Sequence, residues 1–259
     1  MAKDIPSVLW SDHSDDWVLQ PDQVDIWRIF LDASIPLSTS FSTDPVKSFE
    51  STLSADENQR AARFVYPQDR RRFVLSHGHL RSILARYLYC EPQQLHFSVN
   101  EYGKPALPDH SLEFNLSHSG DFALLAVSRQ HKVGIDVERV RQDLEFEDLA
   151  RRFFSEREYS DLMDMPHERR KATFFRCWTL KEAYIKAHGL GLSLLLDGFD
   201  VSLTPNERPI LRATRPNPTE ASRWTLLSFE VDSEHAGAVA VQSITSEIRF
   251  WNWTTSQGR

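Results

Sequence analysis

Residues 131–140 read HKVGIDVERV, and the way this stretch folds decides how the rest of the chain is laid out. Val133, Ile135 and Val137 are β-branched and alternate with Gly134, Asp136 and Glu138, the pattern of a strand. In a strand, residues two apart share a face. Ile135 and Val137 therefore point into a core, and Asp136 and Glu138 emerge together on the other face. Two carboxylates that close repel each other, and each resists losing its water. Either water covers that face or something positive sits on it.

Outward from this strand, the chain reads as the same series of elements twice. Downstream, FEDLARRFF and SEREYSDLM read as short helices. RRKATFFRCWTLKEAYIKAHG reads as a long helix ended by Gly189. GFDVSL, WTLLSFEV, AGAVAVQS and IRFWNW then read as strands, with an irregular loop marked by prolines at 205, 209, 216 and 218. Upstream, VDIWRIFLD (24–32) is a strand, followed by a polar stretch to about residue 53. SADENQRAARFVY is a helix whose Ser54 and Glu57 form a capping box. The helix at 69–89 buries a stripe of Phe73, His77, Leu80, Leu84, Tyr87 and Leu88. LHFSVN, LEFNLS and FALLAVS are strand-like. The expected class is α+β: a loosely held arm (1–22), an N-terminal half (23–130) and a C-terminal half (131–259) carrying the acid pair.

Composition narrows the function. The chain has 259 residues, 41% apolar and 26% charged, enough for a sizeable core without staples. Its net charge of −7 argues against a nucleic-acid binder that works by broad phosphate neutralisation. No apolar run approaches the roughly 18–20 residues of a membrane helix. The acidic start, MAKDIPSVLWSDHSDDW, lacks the apolar core of a signal peptide. Cys90 and Cys177, each placed near a helix end, have no metal-site spacing and read as free thiols of a reducing cytoplasm.

Three more segments bear on the acid pair. In WTLKEAYIKA (178–187), Glu182 and Lys186 are four apart and share a helix face. FNLSHSG (114–120) carries Asn115, and puts Ser117 and His118 at a strand end before a glycine turn. EYGKP (101–105) is a turn carrying Lys104 and Pro105. Singly, these read as a surface ion pair, a structural histidine and a solvated lysine. In order, however, GKP, FNLSHS, GIDVE, FF-SE-EY and W-LKEA-IKA resemble the 4′-phosphopantetheinyl transferases, most of all the longer Sfp-type members. The resemblance spans roughly residues 24–200.

The resemblance implies Mg²⁺-dependent transfer of phosphopantetheine from coenzyme A to a serine of an apo acyl or peptidyl carrier protein, with release of adenosine 3′,5′-bisphosphate. It implies Asp136, Glu138 and Glu182 as metal ligands, with Lys186 on the phosphates and Asp136, Glu182 and Lys186 as the catalytic set. Glu182 is also the candidate base for the carrier serine. Arg60, Lys104, Pro105, Asn115, Ser117, His118 and Lys186 would bind coenzyme A, with Ser117 and His118 near the 3′-phosphate. Some relatives carry a lysine where Glu57 stands, and Arg70, Arg71 or Arg72 is the candidate replacement. The long form implies two similar halves related by pseudo-twofold symmetry, one active site in the cleft between them, and a monomer. The leucine-rich segment 188–199 would receive the carrier. Two other readings are another Mg²⁺-dependent phosphoryl hydrolase that uses the same acids, and a silent coenzyme A or carrier binder, which would have no need of three metal acids.

Overall fold

The protein is described here as a computed structural model covering residues 6–13, 17–31, 45–204, 208–215 and 217–254. Strands β1 (Ser11–Asp12) and β2 (Gln23–Phe30) precede helices α1 (Pro45–Glu50), α2 (Ala55–Ala62) and α3 (Pro67–Leu88). Strands β3 (Ser98–Val99), β4 (Pro105–Ala106), β5 (Glu113–Ser119) and β6 (Phe122–Ser128) follow. Then come β7 (Val133–Arg139), α4 (Phe146–Phe153), α5 (Glu156–Met163) and α6 (His167–His188). The chain ends with β8 (Phe199–Val201), β9 (Leu211–Thr214), β10 (Thr225–Glu230), β11 (His235–Val241) and β12 (Glu247–Trp253). The class is α+β, as the alternation of periods predicts.

Two sheets carry the fold, one ordered β1-β12-β2-β6-β5 and the other β10-β11-β7. They pack face to face through Val24, Ile26, Leu124 and Ala126 on one side and Val133, Ile135, Val137 and Val239 on the other. Each sheet turns its outer face to a helix of 22 residues, α3 on the first and α6 on the second. The layers thus run helix, sheet, sheet, helix, and three apolar clusters fill the gaps between them.

The short helices before α3 and α6 are built alike. Ser54 caps α2 and Ser155 caps α5, each in a reciprocal box with a glutamate three residues on, Glu57 and Glu158. Each glutamate is then gripped by a buried cation of the following long helix. Arg81 Nη2 lies 2.7 Å from Glu57 Oε2, and Lys181 Nζ lies 2.7 Å from Glu158 Oε2. Buried charges at these positions stay affordable because each is both paired and hydrogen-bonded. Both long helices end on a left-handed residue, Tyr89 (φ 51°) and Gly189 (φ 71°).

Several expectations are corrected. The described residues of the arm, 6–13 and 17–22, are not loosely held: Trp17 stacks on Trp27 at 5.1 Å, and Trp10 packs edge-on against Phe229 and Phe250. Ser7 bridges to Glu230 of β10 while β1 pairs with β12, so the arm straps both sheets. β12 does not stay with the second half. It runs parallel to β2, where Trp251 and Trp253 join one core and Ile248 and Phe250 the other, and where Arg249 and Trp251 bond Asp25. The polar stretch before residue 53 contains α1, whose Phe49 covers Gly78 of α3. LHFSVN supplies only the two residues of β3, and the proline-marked loop contains β9. Cys177 lies in the middle of α6, buried and unpaired.

Gly134 sets the distance between α6 and β7. A Cβ built there would lie 2.1 Å from Ala183 O and 2.3 Å from Ala187 N, both backbone atoms of α6. The neighbouring strand contributes Ala240, Ala238 and Ala236, which pair with Gly134, Asp136 and Glu138. This run of small residues lets the helix lie directly on the strand, beside the acids. Gly134→Ala should therefore force α6 outward. We expect a loss of about 1–3 kcal/mol in urea unfolding, the usual cost of overpacking, together with loss of the site chemistry below.

Candidate active site

The site forms where the two sheets meet edge to edge. β5 is the last strand of the first sheet and β7 the last of the second, and they are joined by side chains instead of a backbone ladder. Asn115 Oδ1 accepts from Ile135 N at 2.8 Å. Ser117 Oγ donates to Asp136 Oδ1 at 2.9 Å, and Ser119 Oγ bonds Glu138 Oε2 at 3.1 Å. Residues 115, 117 and 119 share a strand face, so one period-two polar series of β5 reads out one series of β7.

From the helix side, Lys186 Nζ donates to Asp136 Oδ1 at 2.5 Å and to Ser117 Oγ at 3.0 Å. Asp136 is buried, and its other oxygen, Oδ2, is also buried and has no hydrogen-bond partner. Burial raises the Asp136 pKa, and Lys186, Ser117 and a weak approach of the Val137 backbone N–H, which falls short of a hydrogen bond to Oδ2, pull it back. Glu138 is pushed up to about 7, first by burial and then by the charge of Asp136. Glu182 is also raised, by burial and by Asp136. Burial thus raises all three acids, and the charge of Asp136 adds to the rise at Glu138 and Glu182. Among the described residues no three His, Cys, Asp or Glu side chains gather closely enough to enclose an ion by themselves.

A second cluster lies alongside. His118 remains exposed at the end of β5, and its pKa is lowered by partial desolvation and then by the charges of Lys186, Arg72 and Arg60. Arg60 stands over the ring of Phe73 at 5.3 Å, and His77 stacks against the same ring at 3.9 Å. His77 is lowered to about 4, chiefly by burial, and stays neutral. Arg72 pairs with Asp121 and Arg70 with Glu50. His118 thus lies within electrostatic reach of Lys186, Arg72 and Arg60, and Lys186 bonds Ser117. Glu57 has its carboxylate committed to Arg81 and Ser54, so it serves the fold.

Lys104 is placed differently from the other expected binding residues. Its ammonium donates to Val133 O at 3.2 Å and Ala187 O at 3.1 Å, and burial lowers its pKa to about 8. Asn100 adds a bond to Gly189 O at 2.7 Å, and Pro105 begins β4 just beyond the turn. The EYGKP turn therefore latches the end of α6 to the start of β7. The period-two series Asn115, Ser117, Ser119 was visible in FNLSHS, yet sequence reading passed over Ser119. Asn100 carried no signal at all, because its partner lies 89 residues away.

Residues 132–241 match the 4′-phosphopantetheinyl transferase superfamily, and residues 42–130 match the 4′-phosphopantetheinyl transferase N-terminal family. The 4′-phosphopantetheinyl transferase HetI of Nostoc sp. PCC 7120 is 40% identical over 94% of this chain and 98% of its own. The chain belongs to the 4′-phosphopantetheinyl transferase superfamily. The 4′-phosphopantetheinyl transferase Sfp of Bacillus subtilis is 34% identical over 83% of this chain and 90% of its own. The holo-[acyl-carrier-protein] synthase of Thermotoga maritima aligns with 43% of this chain and 62% of its own at 24% identity, with a TM-score of 0.35, too partial a likeness to bear on the fold. The boundary between the two family matches falls at 130–132, in the loop that leads into β7, so the acids of this transferase lie in the second match and Asn115, Ser117 and His118 in the first.

Lys104→Met should loosen the latch. We expect a loss of about 1–2 kcal/mol in urea unfolding, the range for hydrogen bonds from a charged group that is partly exposed. Asn100→Ala should act in the same direction.

Proposed function

We propose that the protein transfers 4′-phosphopantetheine from coenzyme A to a serine of an apo carrier protein, using Mg²⁺ held by Asp136, Glu138 and Glu182. The observation that carries the metal reading is Asp136 Oδ2, a buried carboxylate oxygen without a hydrogen-bond partner. Unpaired buried charge is costly, and a hard dication with water and phosphate oxygens is the partner such an oxygen suits. When bound, Mg²⁺ supplies charge neutralisation at the pyrophosphate.

The chain's own groups do the rest. Lys186 has three N–H donors; two are used on Asp136 and Ser117, leaving one for a phosphate oxygen. Arg60 and Arg72 supply positive charge, and His118 a neutral ring N–H, for the nucleotide phosphates. Glu182, its pKa raised by burial and by Asp136, is suited to take the proton of the carrier serine. The serine oxygen–phosphorus bond forms as the pyrophosphate bond breaks, and adenosine 3′,5′-bisphosphate leaves.

The matched features of the two halves support a pseudo-twofold relation with the site at its seam. Asp25 faces α3 as Asp136 faces α6, but Asp25 is fully engaged by Tyr87, Arg249 and Trp251. A saturated carboxylate has nothing left for a metal, which accounts for a single site and agrees with a monomer. The carrier would dock on 188–199, which the Asn100 and Lys104 latch holds beside α6. There Leu195 is 65% exposed and Leu190 37%, while Leu194 and Leu196 pack against the core. The side chain of Leu192 lies outside the described residues. A cytoplasmic setting suits the two free thiols, and among the described residues no helix is long and apolar enough to cross a membrane.

Conversion of apo carrier to its heavier holo form, followed by mass spectrometry, tests the reading. Asp136→Ala should abolish conversion at saturating Mg²⁺ with the fold retained; full turnover would remove Asp136 from the site. His118→Ala should raise the KM for coenzyme A, but not that for dephospho-coenzyme A, which lacks the 3′-phosphate. Equal losses with both would place His118 elsewhere on the nucleotide.

A further inference from the structure

The hydroxyl of Ser119 is aimed by its surroundings. Arg139 N donates to Ser119 Oγ at 3.1 Å, and Glu138 Oε2 lies 3.1 Å from the same oxygen. A serine hydroxyl has one proton to give. With a backbone donor already on its oxygen, that proton points at Glu138. The arrangement repeats one strand step earlier, where Ser117 Oγ accepts from Lys186 Nζ and donates to Asp136 Oδ1. Each serine thus takes a donor on one side and holds one oxygen of one carboxylate on the other. For Asp136 this leaves Oδ2 bare. Glu138 needs holding more than Asp136 does, since its side chain has one more rotatable bond and it lies near the exposed end of β7. Gly120, which follows Ser119, takes φ 59°, and the buried His235 packs against it where a Cβ would stand.

We propose that Ser119 is a positioning residue for the transfer reaction: by holding Glu138 Oε2 it fixes the conformer that presents the other carboxylate oxygen to the divalent cation. This rests on the metal reading given above. Groups that orient metal ligands in this way usually alter metal affinity by about 10–100-fold when removed.

The test uses the full chain with Mn²⁺ as the probe, titrated in the presence of coenzyme A with free Mn²⁺ followed by electron paramagnetic resonance. Ser119→Ala should weaken Mn²⁺ binding about tenfold. Ser119→Thr keeps the hydroxyl and should bind close to the parent. In the carrier assay, Ser119→Ala should raise the Mg²⁺ concentration needed for half-maximal rate, while kcat at saturating Mg²⁺, the KM for coenzyme A and the melting temperature hold. Parental Mn²⁺ affinity in Ser119→Ala, with binding lost in Asp136→Ala, would overturn the role of Ser119 and leave the metal reading standing. Parental affinity in Asp136→Ala would overturn the metal reading and this inference with it. Equal weakening in the Ala and Thr variants would also count against it, since the hydroxyl would then not be the group that matters.

Discussion

The site depends on one contact, the backbone of α6 resting on Gly134 of β7. Any side chain at residue 134 would collide with Ala183 O and Ala187 N. Because the strand offers only hydrogen there, and alanines on the adjacent β11, the helix sits close enough for Lys186 to reach Asp136. The glycine that opens GIDVE therefore acts through distance. It converts a sequence spacing, Glu182 and Lys186 on one helix face, into a charge cluster with two acids of a strand. Lys104 and Asn100 hold the same joint from the far end.

The two halves use the same scaffold to different ends. In each, a capping-box glutamate meets a buried cation from the long helix, which fixes the short helix against the long one. In each, an aspartate faces the long helix. Asp25 is closed off by four hydrogen bonds, from Tyr87, Trp251 and both nitrogens of an Arg249 fork, and ties β12 into the first sheet. Asp136 is left half-satisfied. Charge-assisted hydrogen bonds stabilise a buried carboxylate, and an unmet oxygen costs stability. On the metal reading proposed above, that cost keeps the position open for a ligand.

Much of this was legible in the sequence, and the reason is locality. The strand at 133–139, the Ser54 box and the end of α6 at Gly189 are written in neighbouring residues, and each stands as predicted. The Ser155–Glu158 box was equally local and was passed over. What was not legible came from far along the chain. Nothing near residue 247 says that the last strand pairs with β2, and nothing near Trp10 says that it fills the gap between two sheets. A lysine in a glycine turn reads as solvated, yet Lys104 is drawn in by carbonyls 29 and 83 residues away. The aromatic seat of Arg60 on Phe73 was likewise not read from the sequence.

The central claim of the proposed reading is that Asp136 Oδ2, buried and without a hydrogen-bond partner among the described residues, is the oxygen that takes the divalent cation. Crystals grown with Mn²⁺ and coenzyme A would test it by anomalous scattering. The account predicts an anomalous peak within ligand distance of Asp136 Oδ2, with Glu138 on the same ion and a phosphate oxygen completing it. A peak bound only by phosphate and water, with Lys186 as the sole cation on Asp136, would contradict it.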